Sequence, residues 1–270
     1  MILSLRIATL FFVLGTSAAS FAQESAVPSN PESFHLFLLA GQSNMAGRGK
    51  VEPVDQERHP RVLMLDKELQ WVPAVDPIHF DKPRVTGVGL GKTFAIQYAE
   101  AHPGVVVGLI PCAAGGSPIA SWEPGGYHHQ TKSHPYDDTL VRMQAAMKSG
   151  VLKAILWHQG ESDSKNPLAE IYEDKLHQLI ARFRNELNSA EVPFIVGQLG
   201  QFAERPWSPE RHRVDDAHQS LPSKVAMTGF VSSDDLTHRG DEVHFDSASY
   251  RELGRRYFEV FEAVSKRSAD

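Results

Sequence analysis

Hydrophobic positions along this chain fall into two alternating patterns. One is a set of short, almost unbroken apolar runs at 34–40, 62–65, 105–111, 152–158 and 194–199. A strand with one face in water alternates apolar and polar side chains, whereas a strand covered on both faces does not; these runs are of the second kind. The other pattern steps by three and four. Leu168, Ile171, Tyr172, Leu176, Leu179, Ile180, Phe183 and Leu187 form such a stripe, with Glu170, Lys175, Arg182 and Glu186 on the opposite side. That is the mark of a helix lying on a core. Residues 91–101, 138–148 and 247–264 predict three more helices. Strands alternating with helices predict an α/β fold with a central parallel sheet and helices on both of its faces.

The first 33 residues stand outside this pattern. Arg6 precedes an apolar stretch from Ile7 to Leu14, and small residues then lead to Ser20-Phe21-Ala22. That order predicts a signal peptide over 1–22, with an apolar part too short to span a bilayer. The next stretch, 23–33, is rich in Ser, Pro and Glu and reads as a short linker. One domain over 34–270 remains, secreted or periplasmic and free of the membrane once the signal is cleaved. A hydrophobic content of 41% and a charged content of 22% suit a globular core. The net charge of -6, with no basic run, argues against a nucleic-acid partner or an anionic membrane surface. Cys112 is the only cysteine, so no intramolecular disulfide can form. It follows an apolar run, which predicts a packed small residue rather than a nucleophile.

In open α/β sheets, reactive groups gather at the carboxyl ends of the strands. Three polar segments fall just there. Gly41-Gln42-Ser43-Asn44-Met45 follows the run at 34–40. The glycine permits a tight turn that leaves the serine oxygen accessible, although Met45 occupies the place where a G-x-S-x-G elbow has its second glycine. Taken alone, the Ser-Asn pair reads better as a turn or a helix cap. Ala114-Gly115-Gly116-Ser117 follows the run at 105–111, and two adjacent glycines can offer N–H groups to an oxyanion or simply make a turn. His158-Gln159-Gly160-Glu161-Ser162-Asp163 follows the run at 152–158. There Gln159 can donate from its side chain, Glu161 and Asp163 can orient a base or cap a helix, and His158 reads as structural. A fourth segment, Asp241-Glu242-Val243-His244-Phe245, precedes the last helix. A carboxylate three residues before a histidine can hold Nδ1 and aim Nε2 at a serine. With 13 histidines in the chain, such a spacing alone is weak.

In this order and at these strand ends, the four segments resemble the blocks of the SGNH hydrolases. Within that group they are similar to carbohydrate esterase family six and the sialate O-acetylesterase-like enzymes. Gly-Gln-Ser-Asn-Met at 41–45 matches the nucleophile block, and Ala-Gly-Gly-Ser at 114–117 with Trp122 matches the glycine block. His-Gln-Gly-Glu-Ser-Asp at 158–163 matches the third, with glutamine where other members carry asparagine. Asp241-x-x-His244-Phe245 followed by Gly254-Arg255-Arg256 matches the last. The resemblance spans about 34–258 and implies a three-layer α/β/α sandwich of SGNH, flavodoxin-like kind. It implies Ser43 as nucleophile and His244 as base, with either Asp241 or Glu161 as the acid; the short spacing favours Asp241. The oxyanion would meet the N–H groups of Ser43 and of Gly116 or Gly115, and the amide of Gln159. The implied substrate is an acetylated poly- or oligosaccharide, such as xylan, another polysaccharide or a sialic acid.

For substrate contact, the sequence offers Asn44 beside the serine and the aromatic residues Trp122, Tyr127 and Tyr136 of the polar loop 121–136. The segment 201–213, with Trp207, Arg211 and Arg213, is a second candidate wall. No metal or cofactor is expected, since neither H-E-x-x-H nor a cysteine ligand set is present. Three alternatives stand beside the acetylesterase. One is a lipase-like or general short-chain esterase of the same fold, and another is a catalytically silent carbohydrate-binding protein. The third is a flavodoxin-like cofactor binder, for which Gly87-Val88-Gly89-Leu90-Gly91 is only a partial echo of a G-x-G-x-x-G fingerprint.

Overall fold

A computed structural model describes residues 26–267, so the signal peptide expected over 1–22 lies outside the described residues. The linker expected over 23–33 ends in a single 3-10 turn, Pro31–Ser33, in which the Asn30 side chain accepts from the Glu32 N–H. Among the described residues no helix is long and apolar enough to cross a membrane.

Seven strands form one sheet: β1 (Phe34–Gly41), β2 (Val62–Leu65), β3 (Trp71–Pro73), β4 (Val106–Pro111), β5 (Val151–His158), β6 (Phe194–Gly197) and β7 (Thr228–Val231). Their order is β3-β2-β4-β1-β5-β6-β7. Every neighbouring pair is parallel except β2 and β3, which run antiparallel at the edge. The central sheet is therefore parallel as expected, with one antiparallel edge strand added. The helices are α1 (Ser43–Ala46), α2 (Gly91–Ala101), α3 (Pro135–Ala146), α4 (Tyr172–Glu186), α5 (Pro209–Lys224) and α6 (Ser247–Lys266).

The unbroken apolar character of β1 is explained by what covers it. Phe34, Leu36, Leu38 and Ala40 face one core, which contains Met143 of α3, Leu176 and Leu179 of α4, and Val214 and Leu221 of α5. Phe37 and Leu39 face the other, with Phe94 and Tyr98 of α2 and Tyr250, Leu253 and Tyr257 of α6. Successive side chains of a strand point to opposite faces, so a strand at the centre of three layers must be apolar throughout.

The strand order also places the site. From β1 the chain moves outward to β2, returns to β4 against one edge of β1, then crosses to β5 against the other. The connections leaving β4 and β5 thus open a crevice at the carboxyl end of β1, where ligands bind in such sheets. Gly41 makes the exit from β1 possible. Its φ is +132°, and a Cβ there would lie 2.2 Å from the carbonyl oxygen of His158 on β5. The neighbouring Gln42 N–H donates to that same oxygen at 2.9 Å.

Candidate active site

Ser43 is the first residue of α1, a single helical turn directly after β1. The first amides of a helix have no partner within it, and the N–H of Ser43 forms no hydrogen bond among the described residues. The side chain of His244 reaches Ser43 from a loop after β7: its Nε2 lies 3.0 Å from Ser43 Oγ. Its Nδ1 lies 2.8 Å from Asp241 Oδ2. With Nδ1–H donating to the carboxylate, Nε2 is the acceptor for the serine hydroxyl. Burial opposes ionisation of Asp241, but the amides of His244 and Val243 and the ring of His244 outweigh it and hold the carboxyl below its ordinary range. Both amides donate to Oδ1, at 2.8 and 3.1 Å. The turn is further fixed by His238, whose Nδ1 accepts from the N–H groups of Gly240 and Glu242. Phe245 anchors it, fully buried with its ring against Phe202 and Tyr250.

Of the two candidate acids, Asp241 is the one that His244 Nδ1 meets. Glu161 Oε1 accepts instead from the amide of Asn44 at 2.5 Å. Asn44 is itself fully buried; its amide also donates to the Val243 carbonyl at 3.0 Å, and its Oδ1 accepts from the Tyr250 hydroxyl at 2.7 Å. Asn44 thus corrects the sequence reading: it is a buried brace linking the serine turn, Glu161 and the histidine loop, with no polar atom left for a substrate.

Gln159 is corrected for the same reason. It is fully buried, and its amide donates to Asp163 Oδ2 at 2.5 Å and to the Ser117 carbonyl at 3.1 Å. Both amide hydrogens are engaged inside the protein, so this side chain does not present a donor to an oxyanion here. Asp163 also accepts from the Ile119 N–H at 2.9 Å, so the pair ties the third block to the glycine block. Burial pushes the Asp163 carboxyl up to about 6. His158 is fully buried, with Nδ1 3.2 Å from the Tyr257 hydroxyl, and burial lowers it to about 4.

Hydrogen bonding also distinguishes the two glycines. The Gly115 N–H donates to Asp81 Oδ2 at 2.8 Å. That of Gly116 forms no hydrogen bond among the described residues, and its φ of +85° turns the chain at this point. Asp81 was not visible in the sequence as a site residue. It is paired with Arg48 at 2.8 Å, both side chains almost fully buried. Burial opposes its charge, but the Arg48 guanidinium holds its carboxyl below the usual range. Arg48 follows the serine helix, so this pair joins the nucleophile turn to the glycine loop. Its proximity to Ser43 was the only signal available; Asp81 carries none.

The aromatic substrate contacts divide. Trp122 is fully buried, donates to Ser117 Oγ at 3.0 Å and meets Trp157 edge-on at 5.0 Å; it is a core residue, not a sugar platform. Tyr136 is buried too, stacked on Phe183. Tyr127 is 43% exposed, between His129 and His134. Of the 201–213 wall, Arg211 is buried beneath Trp207 and donates to the Gly200 carbonyl, whereas Arg213 is exposed.

The chain is similar to known proteins over most of its length. The profile of a family described as "Carbohydrate esterase, sialic acid-specific acetylesterase" matches residues 33–263. A probable carbohydrate esterase of Arabidopsis thaliana is 32% identical over 254 residues, covering 86% of this chain and 90% of that protein. An X-ray structure of a protein from Arabidopsis thaliana superposes with a TM-score of 0.75 at 30% identity, covering 85% of this chain and 98% of the other. A carbohydrate acetylesterase from Xanthomonas citri shares the fold, with a TM-score of 0.66 at 19% identity over 86% of this chain and 56% of its own.

Proposed function

Because the chain belongs to the sialic acid-specific acetylesterase family of carbohydrate esterases, and is thereby a carboxylic ester hydrolase, we propose that it removes O-acetyl groups from poly- or oligosaccharides outside the cytoplasm. The acetylxylan-type esters are the substrate class this reading puts first, with O-acetyl sialic acids second. The observation that carries it is the unbroken line from Ser43 Oγ through His244 to Asp241, at 3.0 and 2.8 Å.

In this mechanism Ser43 Oγ attacks the acetyl carbonyl while His244 Nε2 takes the hydroxyl proton. Asp241 holds the ring in the required tautomer and stabilises the imidazolium. The N–H groups of Ser43 and Gly116 donate to the developing oxyanion. Collapse breaks the bond to the sugar oxygen, which leaves with the proton from His244. Water, deprotonated by the same histidine, then attacks the acetyl-serine and releases acetate. The apolar stretch before Ala22 carries the chain out of the cytoplasm.

Ser43→Ala tests this reading. Hydrolysis of 4-nitrophenyl acetate and acetate release from acetylated xylan should fall by about 10⁴-fold or more, with the unfolding midpoint unchanged. Turnover near that of the parent would sink it.

A further inference from the structure

Beside the Asp241 end of the triad the fold builds a second depression of about 440 Å³, lined by Arg48, Lys50, Arg84 and Arg239 together with Val51 and Val85. Three separate chain segments bring these cations together in a protein whose net charge is -6, so the concentration of positive charge comes from folding, not composition. Arg48 is neutralised by Asp81. The side chains of Lys50 and Arg84 form no ion pair or hydrogen bond among the described residues, and both residues are exposed. Arg239 is half-exposed; its Nη1 donates to the Arg48 carbonyl at 2.6 Å and its Nε lies 3.6 Å from Asp241 Oδ2.

The floor is rigid. Gly49 and Val88 exchange N–H donations to each other's carbonyl oxygens, at 3.1 and 2.9 Å, and the Gly87 N–H donates to the Gly47 carbonyl at 3.1 Å. A Cβ on Gly87 would lie 2.0 Å from the Gly49 oxygen. Ser247 Oγ pins the Lys50 carbonyl at 2.6 Å. Val51 and Val85, 36% and 50% exposed, give the depression apolar surface beside its charges. A sugar acid has this same pairing of features, a C–H face and a carboxylate. Guanidinium and ammonium donors recognise a carboxylate strongly because both partners are charged.

We propose that this depression is an anion subsite, taking a sugar carboxylate on or next to the acetylated unit through Lys50, Arg84 and Arg239. The preferred substrates are then acetylated saccharides that carry uronic or similar acids. This inference rests on the esterase reading for its link to turnover. Arg239 supplies the connection, since it touches both the depression and the carboxylate that orients His244.

The test compares an acetylated xylo-oligosaccharide bearing one uronic acid with the same molecule reduced to its neutral sugar. A monomeric acetylated sugar acid serves as a third substrate and separates a carboxylate on the acetylated unit from one on its neighbour. The parent enzyme should favour the acid form by about tenfold in kcat/KM, mainly through KM, and the preference should shrink as salt rises. Lys50→Gln with Arg84→Gln should bring the acid and neutral forms together. Arg58→Gln with Lys148→Gln, which removes the same charge from exposed positions elsewhere, should keep the preference. Calorimetry of the Ser43→Ala protein with a non-acetylated uronate oligosaccharide should show binding that the Lys50 and Arg84 substitutions weaken about tenfold. Efficient ester turnover with no acid preference and no such loss of binding overturns the subsite and leaves the esterase reading standing. Lys50- and Arg84-dependent binding by a protein that cleaves no acetyl ester supports the subsite and overturns the esterase reading.

Discussion

Asp241 and Glu161 are both carboxylates at the same edge of the sheet, yet their neighbours give them different work. Asp241 Oδ2 faces the ring of His244, so replacing it by asparagine removes the acceptor that fixes the tautomer. Asp241→Asn should lower kcat by about 10³–10⁴-fold. Glu161 accepts from Asn44 through one oxygen, a bond that glutamine can still accept, so Glu161→Gln should cost much less. Initial rates on 4-nitrophenyl acetate decide the order, and a larger loss in the glutamine variant would reverse the assignment. The Asp241–His244 pair was legible in the sequence because three residues within one turn cannot lie far apart. The roles of Gln159, Asn44 and Trp122 were not, because spacing does not reveal which polar atoms the fold engages. Asn44 and Gln159 meet partners distant in the chain, Tyr250 and Ser117 respectively, and Trp122 is buried against the equally remote Trp157.

At the scale of elements, the loops after β4 and β5 are held together through Asp163, which accepts from Gln159 and from Ile119 N–H. Burial is the main reason its carboxyl is raised to about 6. An unfolded aspartate ionises near pH 3.9, so the native state holds its proton over a higher range. This contribution to stability is present in acid and is lost as pH rises from about 4 through about 6. Asp163→Asn keeps an acceptor but cannot ionise. Its urea midpoint relative to the parent should therefore climb between pH 4 and pH 7, and a constant difference would refute the linkage. The five apolar runs all became strands, and the four predicted helices all formed. Four elements escaped, the single-turn α1 among them. β3 has three residues and β7 has four, one of them glycine, too few to show a pattern. α5 does carry Val214, Ala217 and Leu221 on its buried face, but Arg211, Asp215 and His218 are buried beside them and Pro222 lies within it. Those polar residues hide the apolar stripe.

Across the whole molecule, the site depends on both ends of the fold. Ser43 follows the central strand, while His244 is carried between the edge strand β7 and α6, which packs on α2 and on β7. Neither half can hold the triad without the sheet between them. Loss of esterase activity in urea should therefore coincide with the change in tryptophan fluorescence from the buried Trp122 and Trp157, as expected when one cooperative unit unfolds. Activity vanishing at clearly lower urea would show that the histidine loop detaches on its own.

The separation of 201 positions between Ser43 and His244, the proposed nucleophile and base, also orders events during synthesis. A ribosome adding about 5–20 residues per second makes the serine turn roughly 10–40 s before it makes the histidine. Throughout that interval the growing polypeptide has a serine without the group that activates it. In the proposed mechanism, hydrolytic competence comes with the last of the sheet and the turn that follows it, so the nascent chain is silent toward any acetyl ester it meets on the way.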